Sequence, residues 1–332
     1  MAEQNQQLLV LSAAEVEQLL SMESCVELMA ETLAAFARGE MEMPLRTVMR
    51  PSDAAGLMGL MPAYDRGDGA FGVKAICVFS GNPKIGKDAH QGGVLLFSGE
   101  TGEPLAMINA SAITAIRTGA VSGVATRLLA RDDANKLTII GAGVQARSHL
   151  RAIACVRKIS EARVVSRNVE HAQKLADEMS NLVEFPITAE TDVASALRGA
   201  DIIVTATSSH EPVLQREWIS PGAHINAIGT YSPQSREIDT ATMAAASLFT
   251  DRRESMFKEA GDYLMAANKG AIDESSLKGE LGELLIGSKR GRSSDDEITL
   301  FKSLGLAVED LACAKFLFSE AKRSSVGQWV SF

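Results

Sequence analysis

Three basic residues stand among apolar or small neighbours. Arg46 precedes a predicted strand, Lys74 lies inside the run FGVKAICVF, and Arg117 lies inside the segment ITAIRTGA. A charge in an apolar stretch costs free energy unless it is paired or used. Each alone could be a lysine that reaches solvent or an arginine paired with a surface acid. Together they suit a carboxylate, which arginine binds bidentately, and we expect them to be the catalytic basic residues.

The segment GAGVQA, residues 141–146, is a GxGxxA motif that follows a predicted strand and opens a predicted helix. In this context Gly141 permits a tight turn, Gly143 lets backbone amides approach a pyrophosphate, and a small residue keeps helix and strand close. The helix N-terminus then favours the anion. A tight turn without a ligand is the alternative. The residues of this segment that we expect to bind a cofactor are Gly141, Gly143, Val144, Gln145 and Ala146.

The end of the next predicted strand selects the nucleotide. An Asp or Glu there would bind the ribose 2′-hydroxyl of NAD, but this chain has Ser166, Arg167 and Asn168. An arginine and a serine can bind a 2′-phosphate, which a carboxylate would repel. We therefore predict NADPH as the cofactor, with NADP preferred over NAD. A solvated loop cation is the alternative for Arg167.

Ligands of open α/β sheets bind in the crevice at the carboxyl ends of the strands. Thr207 and Ser208 end the predicted strand ADIIVTATS, and Gly229 closes the predicted strand AHINAIG. We expect these residues near the cofactor. The segment Ser303-Leu304-Gly305 is either a close backbone approach to the cofactor or a helix kink, and we include Ser303 and Gly305 in the cofactor-binding set.

The turn after Gly229 lacks an acid or base that titrates near neutral pH, because it reads Thr230, Tyr231, Ser232. His90, in DAHQGG, is either a site residue or a turn histidine, with the turn slightly favoured. His149, on the helix after the glycine motif, is expected to be structural. We assign three further residues to substrate binding beside the basic set, namely Met61, His90 and Tyr231.

Length, composition and charge limit the classes of protein to which this chain can belong. The 332 residues suffice for about two domains, and 46% apolar and 23% charged residues are ordinary for a globular enzyme. The net charge of -9 argues against nucleic acid as a partner. No secretory signal and no apolar stretch of ~20 residues is found, which argues against a membrane protein. The scattered cysteines lack metal-ligand spacing, so we expect reduced thiols, no metal site and a cytoplasmic location; they are Cys25, Cys77, Cys155 and Cys313.

The chain shows two patterns of predicted secondary structure, one before and one after Lys136. A capping box at Ser12 opens a helix, a second helix runs to Arg38, and short apolar runs between Arg46 and Ala106 predict strands joined by turns. A long helix is predicted over 111–130. From Lys136 strands and helices alternate, which predicts a doubly wound parallel sheet. Residues 296–325 are predicted as a long amphipathic helical stretch that Gly305 interrupts.

These motifs together resemble the ornithine cyclodeaminase/mu-crystallin family. MPAY, GVKAI, HQGGVLLF, ITAIRTGAVSG, IIGAGVQARSH, AIGTYSPQSREID, ELGELL and GRSSDDEITLFKSLGLAVEDLACAK occur in family order over nearly the whole chain. The resemblance implies a homodimer and an α/β fold: a Rossmann NAD(P)-binding domain over 117–305, and a discontinuous α+β substrate-binding and dimerisation domain over 1–116 and 306–332. It also implies that Arg46, Lys74 and Arg117 match the family's carboxylate-binding residues.

Two departures from the family pattern bear on the substrate. Cyclodeaminases carry a catalytic Asp where this chain has Tyr231, and a Glu that helps hold the substrate's amino groups where it has Gly59. Both acids expected for ornithine are therefore missing. The members most similar at these positions are ketimine reductases, which reduce Δ1-pyrroline-2-carboxylate and Δ1-piperideine-2-carboxylate to proline and pipecolate. A protonated imine is already a good electrophile, so such a site needs no strong base.

The leading hypothesis is an NADPH-dependent imino acid reductase. The alternatives are an alanine-type amino acid dehydrogenase, which must manage free ammonia; an ornithine cyclodeaminase, which Tyr231 and Gly59 disfavour; and a mu-crystallin-like protein that binds NADPH and a small ligand with little turnover. The intact basic set favours an enzyme. Ring size and direction of the reaction are left open.

Overall fold

Two β-sheets hold all the strands of the computed structural model, which describes residues 7–332. The described strands are β1 (Gln7–Leu11), β2 (Met41–Glu42), β3 (Thr47–Met49), β4 (Leu57–Asp65), β5 (Phe71–Val78), β6 (His90–Phe97), β7 (Pro104–Asn109), β8 (Lys136–Ile140), β9 (Glu161–Val165), β10 (Ile187–Glu190), β11 (Ile202–Thr205), β12 (His224–Ala227), β13 (Ser247–Thr250), β14 (Leu277–Glu280), β15 (Thr299–Lys302) and β16 (Gln328–Ser331).

The helices connect or cover these sheets. They are α1 (Ala13–Leu19), α2 (Met22–Ala37), α3 (Ala110–Leu129), α4 (Val144–Val156), α5 (Val169–Met179), α6 (Val193–Ala196), α7 (Thr240–Ala245), α8 (Arg253–Glu259), α9 (Gly261–Asn268), α10 (Leu281–Leu285) and α11 (Ala307–Ser324). None of the helices within residues 7–332 has the length and apolar character that crossing a membrane requires.

The chain divides into two compact units. Unit 1 comprises the described residues up to Arg117 together with Leu306–Phe332, and unit 2 is Thr118–Gly305. The assignment of the substrate to residues 1–116 and 306–332, and of the coenzyme to residues 117–305, stays a prediction.

Unit 1 is built on a mixed sheet of order β16-β1-β7-β6-β5-β4-β2, with β3 also paired to β4. Side chains alternate between its faces. Met61, Lys74 and Val94 are cross-strand neighbours on a face that is buried, and α11 packs against β4, β5 and β6. Successive residues of a strand point to opposite faces, so Leu60 and Phe71 lie on the other face, where both are exposed.

The first two helices of unit 1 form where their capping residues predict. Ser12 and Glu15 complete the capping box of α1, and the Ser21 side chain caps α2. The second helix ends where the sequence turns at Gly39, whose φ is 76°.

Unit 2 is an all-parallel sheet of order β10-β9-β8-β11-β12-β15-β13-β14. Its central strands β11, β12 and β15 are fully buried, as expected where helices cover both faces of a parallel sheet. The chain leaves β8 toward β9 and β10, and β11 then joins the other side of β8, which creates a switch point in strand order. The predicted fold class, a Rossmann-type α/β unit with a second α+β unit, is confirmed.

The helical interpretation of residues 296–305 is wrong. Residues Thr299–Lys302 are strand β15, which is fully buried and pairs with β12 and β13. Hydrogen bonds on both sides of the strand outweigh the helical pattern of this short run. Gly305 has a φ of 77°, so it forms a left-handed turn between β15 and α11 rather than a helix kink.

Candidate active site

Lys74 lies at the centre of the buried face of the sheet in unit 1. Its side chain is 2% exposed, and its Nζ lies 2.6 Å from Oδ2 of Asp310 on α11. Met61, predicted to bind substrate, is its cross-strand neighbour and is 6% exposed. A buried ammonium without a counter-ion would be strongly unfavourable, so the ion pair with Asp310 explains how this strand accommodates a lysine.

Arg117, on α3, belongs to the same buried network. Its Nη1 lies 2.8 Å from Oε2 of Glu309, and its Nε lies 3.3 Å from Oδ1 of Asp310. Asp310 therefore contacts two cations, one with each carboxylate oxygen. The alternative of a helix arginine paired with a surface acid is wrong, because Glu309 and Asp310 are both buried.

Arg46 and His90 lie close enough to Lys74 to interact with its charge. Burial lowers the pKa of Lys74 to about 8; Asp310 raises that pKa, whereas Arg117 and Arg46 lower it. Burial also lowers the pKa of His90, and the charges of Lys74 and Arg117 lower it further. Four of the predicted substrate residues, together with Met61, thus share one region of unit 1.

We call Arg46, Lys74, Arg117, Glu309 and Asp310 the basic cluster, because its three cations outnumber its two carboxylates by one. One residual positive charge in a desolvated region suits a single carboxylate. The electrostatic attraction is stronger there than in water.

The two acids of the basic cluster were missed in the sequence analysis. Glu309 and Asp310 follow Ala307 and Val308 and precede Leu311, so they too are charges among apolar neighbours. The criterion that singles out Lys74 and Arg117 applies equally to them, and it would have found them.

The glycine motif forms the turn between β8 and α4 in unit 2. Gly141 has a φ of 121°, and a Cβ there would lie 2.4 Å from the carbonyl oxygen of Ala206, so only glycine fits. Gly143 is the N-cap of α4, and no side chain caps this helix. A Cβ at Gly143 would meet nothing within 4 Å. Open space beside an uncapped helix N-terminus fits a pyrophosphate.

Packing explains Ala146 and His149. Ala146 is fully buried in the core around β8, whereas Val144, the first residue of α4, is 54% exposed. The Gln145 carbonyl oxygen lies 2.7 Å from Nδ1 of His149, and Ser122 Oγ lies 2.8 Å from Nε2. Burial lowers the pKa of His149 to about 4. A neutral, fully hydrogen-bonded ring is the structural role expected of this histidine.

The segment after β9 holds the predicted 2′-phosphate residues. Ser166 is half-buried, and its amide donates to the Glu190 carbonyl. The Asn168 side chain accepts a hydrogen bond from the Glu170 amide at 2.9 Å and so caps α5. Arg167 is exposed and forms no ion pair with any residue of the described chain 7–332. Its guanidinium is therefore available to an external anion.

Glu237 ties together the segments that follow β11 and β12. Its Oε1 accepts hydrogen bonds from the amide and the hydroxyl of Thr207, each at 2.7 Å. Its Oε2 accepts from the Gly229 amide at 2.7 Å and from the Thr205 hydroxyl at 2.9 Å. Burial raises the pKa of the Glu237 carboxyl, whereas four donors favour its charged form. Ser208 is exposed beside this anchor.

Close packing of the backbone requires glycine at position 229, and the predicted contact of Gly229 with the cofactor stays a prediction. A Cβ there would lie 2.1 Å from the Thr207 carbonyl oxygen, so glycine allows the two segments to approach each other. In the neighbouring segment, Oδ2 of Asp251 accepts from the amides of Leu304 at 2.6 Å and Gly305 at 2.7 Å. The Ser303 amide donates to the Ala227 carbonyl.

The turn that carries Tyr231 is anchored by a buried ion pair. Lys302 Nζ lies 2.9 Å from Asp262 Oδ2 and 2.6 Å from the Thr230 carbonyl oxygen. Oδ1 of Asp262 accepts from the amides of Glu237 and Ile238. Tyr231 itself is 38% exposed. Four organising residues were missed, namely Lys302, Asp262, Asp251 and Glu237. The first three are charges within or beside an apolar run, whereas Glu237 lies between Arg236 and Ile238 in a polar segment that gives no such signal.

Comparisons with known proteins agree with this architecture. A Δ1-pyrroline-2-carboxylate reductase of Bacillus cereus (strain ZK / E33L) is 37% identical over 98% of this chain and 100% of its own length. The solved structure of Thermococcus litoralis Δ1-pyrroline-2-carboxylate reductase, in complex with NADH and L-proline, is 38% identical and superimposes with a TM-score of 0.94. That match covers 97% of this chain and 99% of the other.

An archaeal alanine dehydrogenase dimer solved with bound NAD is also similar. It is 33% identical, its TM-score is 0.92, and the match covers 98% of this chain and 100% of that one. The family model for the ornithine cyclodeaminase/mu-crystallin family matches residues 6–325. The predicted resemblance is confirmed, and the chain belongs to the ornithine cyclodeaminase/mu-crystallin family.

Proposed function

We propose that this protein is an NADPH-dependent reductase of cyclic imino acids, which converts Δ1-pyrroline-2-carboxylate and Δ1-piperideine-2-carboxylate to proline and pipecolate. The observation that carries the proposal is the buried basic cluster, whose single residual positive charge matches one carboxylate. The similarity to two Δ1-pyrroline-2-carboxylate reductases over nearly the whole chain supports it.

The residues of unit 1 bind and orient the substrate in this proposal. Arg46 and Arg117 hold the carboxylate, and Lys74 orients it, with Met61 and His90 as neighbours. A substrate fixed in this way places the C=N carbon reproducibly, which lowers the entropic part of the barrier. The protonated imine carries the positive charge that makes its carbon electrophilic. No residue has to remove a proton in the reductive direction, which agrees with Tyr231 in place of an acid.

The residues of unit 2 hold the coenzyme. The turn Gly141–Ala146 and the N-terminus of α4 bind the pyrophosphate, and Arg167 with Ser166 binds the 2′-phosphate. Thr207, Ser208, Gly229, Ser303 and Gly305 shape the carboxyl edge of the sheet for the remainder of the molecule. The coenzyme, when bound, supplies a hydride. The preference for NADPH over NADH rests on Arg167.

A second candidate is an alanine-type amino acid dehydrogenase, because the archaeal alanine dehydrogenase is 33% identical with a TM-score of 0.92. This reaction in the reductive direction must handle free ammonia or a carbinolamine. Tyr231, which has no charge near neutral pH, is poorly suited to that task. The reductase is therefore the better-supported function.

The proposed assembly is a homodimer in the cytosol. The exposed apolar face of the unit 1 sheet supports self-association, and an alanine dehydrogenase relative was solved as a dimer. The four cysteines, within the described residues, form no disulfide, which is compatible with a reducing compartment.

The function is tested by following NADPH absorbance with Δ1-pyrroline-2-carboxylate, Δ1-piperideine-2-carboxylate, and pyruvate plus ammonia, with NADH in parallel. We expect rapid loss of NADPH with at least one cyclic imine, slower loss with NADH, and little loss with pyruvate plus ammonia. Turnover with pyruvate plus ammonia alone would instead establish the dehydrogenase. Ammonia release from ornithine without net coenzyme consumption would establish a cyclodeaminase.

A further inference from the structure

We infer that Asp310 is a positioning residue of the active site, whose carboxylate links Lys74 to Arg117 and holds both cations for the substrate carboxylate. The inference rests on the proposed function, because it concerns how the same basic cluster works. Asp310 acts through Lys74 and Arg117 rather than by touching the reacting atoms.

The geometry of Asp310 differs from that of its neighbour Glu309. Asp310 contacts Lys74 with Oδ2 at 2.6 Å and Arg117 with Oδ1 at 3.3 Å. Glu309 pairs with Arg117 at 2.8 Å. Both acids lie in the first turn of α11, where negative charge is favoured by the helix dipole, and α11 packs on the strand that carries Lys74. Rigid secondary structure therefore fixes the carboxylate relative to both cations.

Burial makes this linkage strong. Lys74 and Asp310 are 2% and 1% exposed, so water screens their attraction very little. The charged groups that shift the pKa of Lys74 are Asp310, Arg117 and Arg46, and the charge of Lys74 in turn lowers the pKa of His90. Among those three groups Asp310 is the anion, whereas Glu309 pairs with Arg117. Without Asp310, Lys74 would lose its ion pair beside two arginines, and its proton would be held more weakly.

The charge of Lys74 has a consequence for activity. An ammonium attracts the substrate carboxylate, whereas a neutral amine does not. Since the pKa of Lys74 is about 8, the fraction of enzyme with a charged Lys74 falls as the pH rises through that value. Asp310 raises this pKa, so it keeps Lys74 charged at neutral pH. Substrate capture should therefore weaken on the alkaline side, and earlier without Asp310.

The test compares Asp310→Asn with Glu309→Gln as a matched control. Both variants remove one buried carboxylate of α11, but only the first removes the ion pair of Lys74. We would measure kcat/KM for Δ1-pyrroline-2-carboxylate from about pH 6 to about pH 10. In Asp310→Asn the alkaline limb should move to lower pH by about one unit or more, as expected for loss of an adjacent opposite charge. Glu309→Gln should raise KM and leave the limb in place. The substrate's own titration is common to all variants, so the difference between them reports on the protein.

Two further variants test the same ion pair if Asp310→Asn fails to fold. Asp310→Glu retains the charge and should keep the limb near that of the wild type. Lys74→Arg, which stays charged throughout this range, should remove the alkaline limb that Lys74 causes. An unchanged limb in Asp310→Asn, or an alkaline limb in Lys74→Arg that titrates as it does in the wild type, would overturn the inference.

A direct titration separates this inference from the proposed function. If wild-type protein reduces neither imine, the proposed function fails, but the Lys74 ammonium can still be titrated by NMR in protein labelled with ¹³C at the lysine ε-carbons. The Lys74 signal is identified by its absence in Lys74→Arg. Its midpoint should be lower in Asp310→Asn than in the wild type and in Glu309→Gln. Equal midpoints in all three would reject the linkage.

Discussion

Arg167 differs from the cations of the basic cluster in both exposure and partners. Lys74 and Arg117 are buried and held by acids, whereas Arg167 is exposed and has no ion pair within residues 7–332. It also stands where NAD-binding folds carry an acid. A planar guanidinium forms strong, charge-assisted hydrogen bonds to phosphate. We therefore propose that Arg167 is the single residue that sets the preference for NADPH.

We expect Arg167→Ala to weaken NADPH binding and to leave NADH binding nearly unchanged. Loss of hydrogen bonds to a charged group of about 1.5–3 kcal/mol corresponds to roughly 10- to 150-fold in Kd. Titration calorimetry with both coenzymes measures the effect. Arg151→Ala, an exposed arginine on α4 outside the predicted phosphate loop, is the control. Equal losses for both coenzymes, or none for either, would remove Arg167 from this role.

Single residues differ in how far the sequence could predict them. Lys74 and Arg117 stand out because their neighbours are apolar, and that local signal requires no knowledge of the fold. Their partners lie 192 and 193 residues beyond Arg117 in the chain, so the pairing itself depends on tertiary packing. Arg46, as a half-buried residue ahead of β3, is connected to the cluster only once the sheet is known.

At the scale of elements, buried carboxylates organise the carboxyl edge of the parallel sheet. Glu237 joins the segments after β11 and β12, Asp262 holds Glu237 and Lys302, and Asp251 holds the turn after β15. Backbone amides in the segments that follow a strand need hydrogen-bond acceptors, because a buried unpaired amide costs free energy. The carboxylates of these acids accept those hydrogen bonds, and they thereby restrict the conformations of the turns.

We expect Glu237→Gln to lower the free energy of unfolding by about 1–3 kcal/mol and to weaken coenzyme binding. An amide has one acceptor oxygen, but the Thr207 and Gly229 amides approach different oxygens, so one of them would lose its partner. Urea unfolding and coenzyme titration provide both measurements. Glu211→Gln, an exposed acid nearby in the chain, should change neither. Wild-type stability and affinity in Glu237→Gln would show that Glu237 does not anchor these segments.

Sequence periodicity predicted some of the strands and helices but not others. The alternation after Lys136 predicted the parallel sheet because buried parallel strands are continuous apolar runs. Residues Thr299–Lys302 include a threonine and a lysine, and their neighbours in the chain read as helix, so pairing with β12 and β13 decides their conformation. β16 was not predicted, since its four residues are all exposed and carry no burial pattern. Its pairing with β1 depends on the positions of the two chain ends.

At the scale of the whole molecule, the sheet of unit 1 leaves one apolar face exposed. Leu60, Phe71 and Met107 are 38%, 52% and 45% exposed, and their strand positions place them on the face opposite Lys74. Large exposed apolar patches mark interaction surfaces. We propose that this face packs against the same face of a second copy, as in a two-fold symmetric dimer.

We expect Phe71→Asp to disrupt the proposed dimer and to leave a monomer of 35.3 kDa. A charge buried in a dimer interface is strongly unfavourable, whereas the same charge on a free surface costs little. Size-exclusion chromatography with light scattering gives the mass. Leu182→Asp, at an exposed apolar position in unit 2, should have the same mass in solution as the wild type. A monomeric wild type, or a dimeric Phe71→Asp, would place the association elsewhere or exclude it.

Direct hydride transfer is tested by following deuterium from the coenzyme into the product. Δ1-pyrroline-2-carboxylate would be reduced with NADPH deuterated at C4 of the nicotinamide, in separate reactions for the two C4 epimers, and the product analysed by NMR. We expect proline with deuterium at C2 from one epimer and protium from the other. No proline, or proline without deuterium at C2 from either epimer, would contradict direct hydride transfer to the C=N carbon.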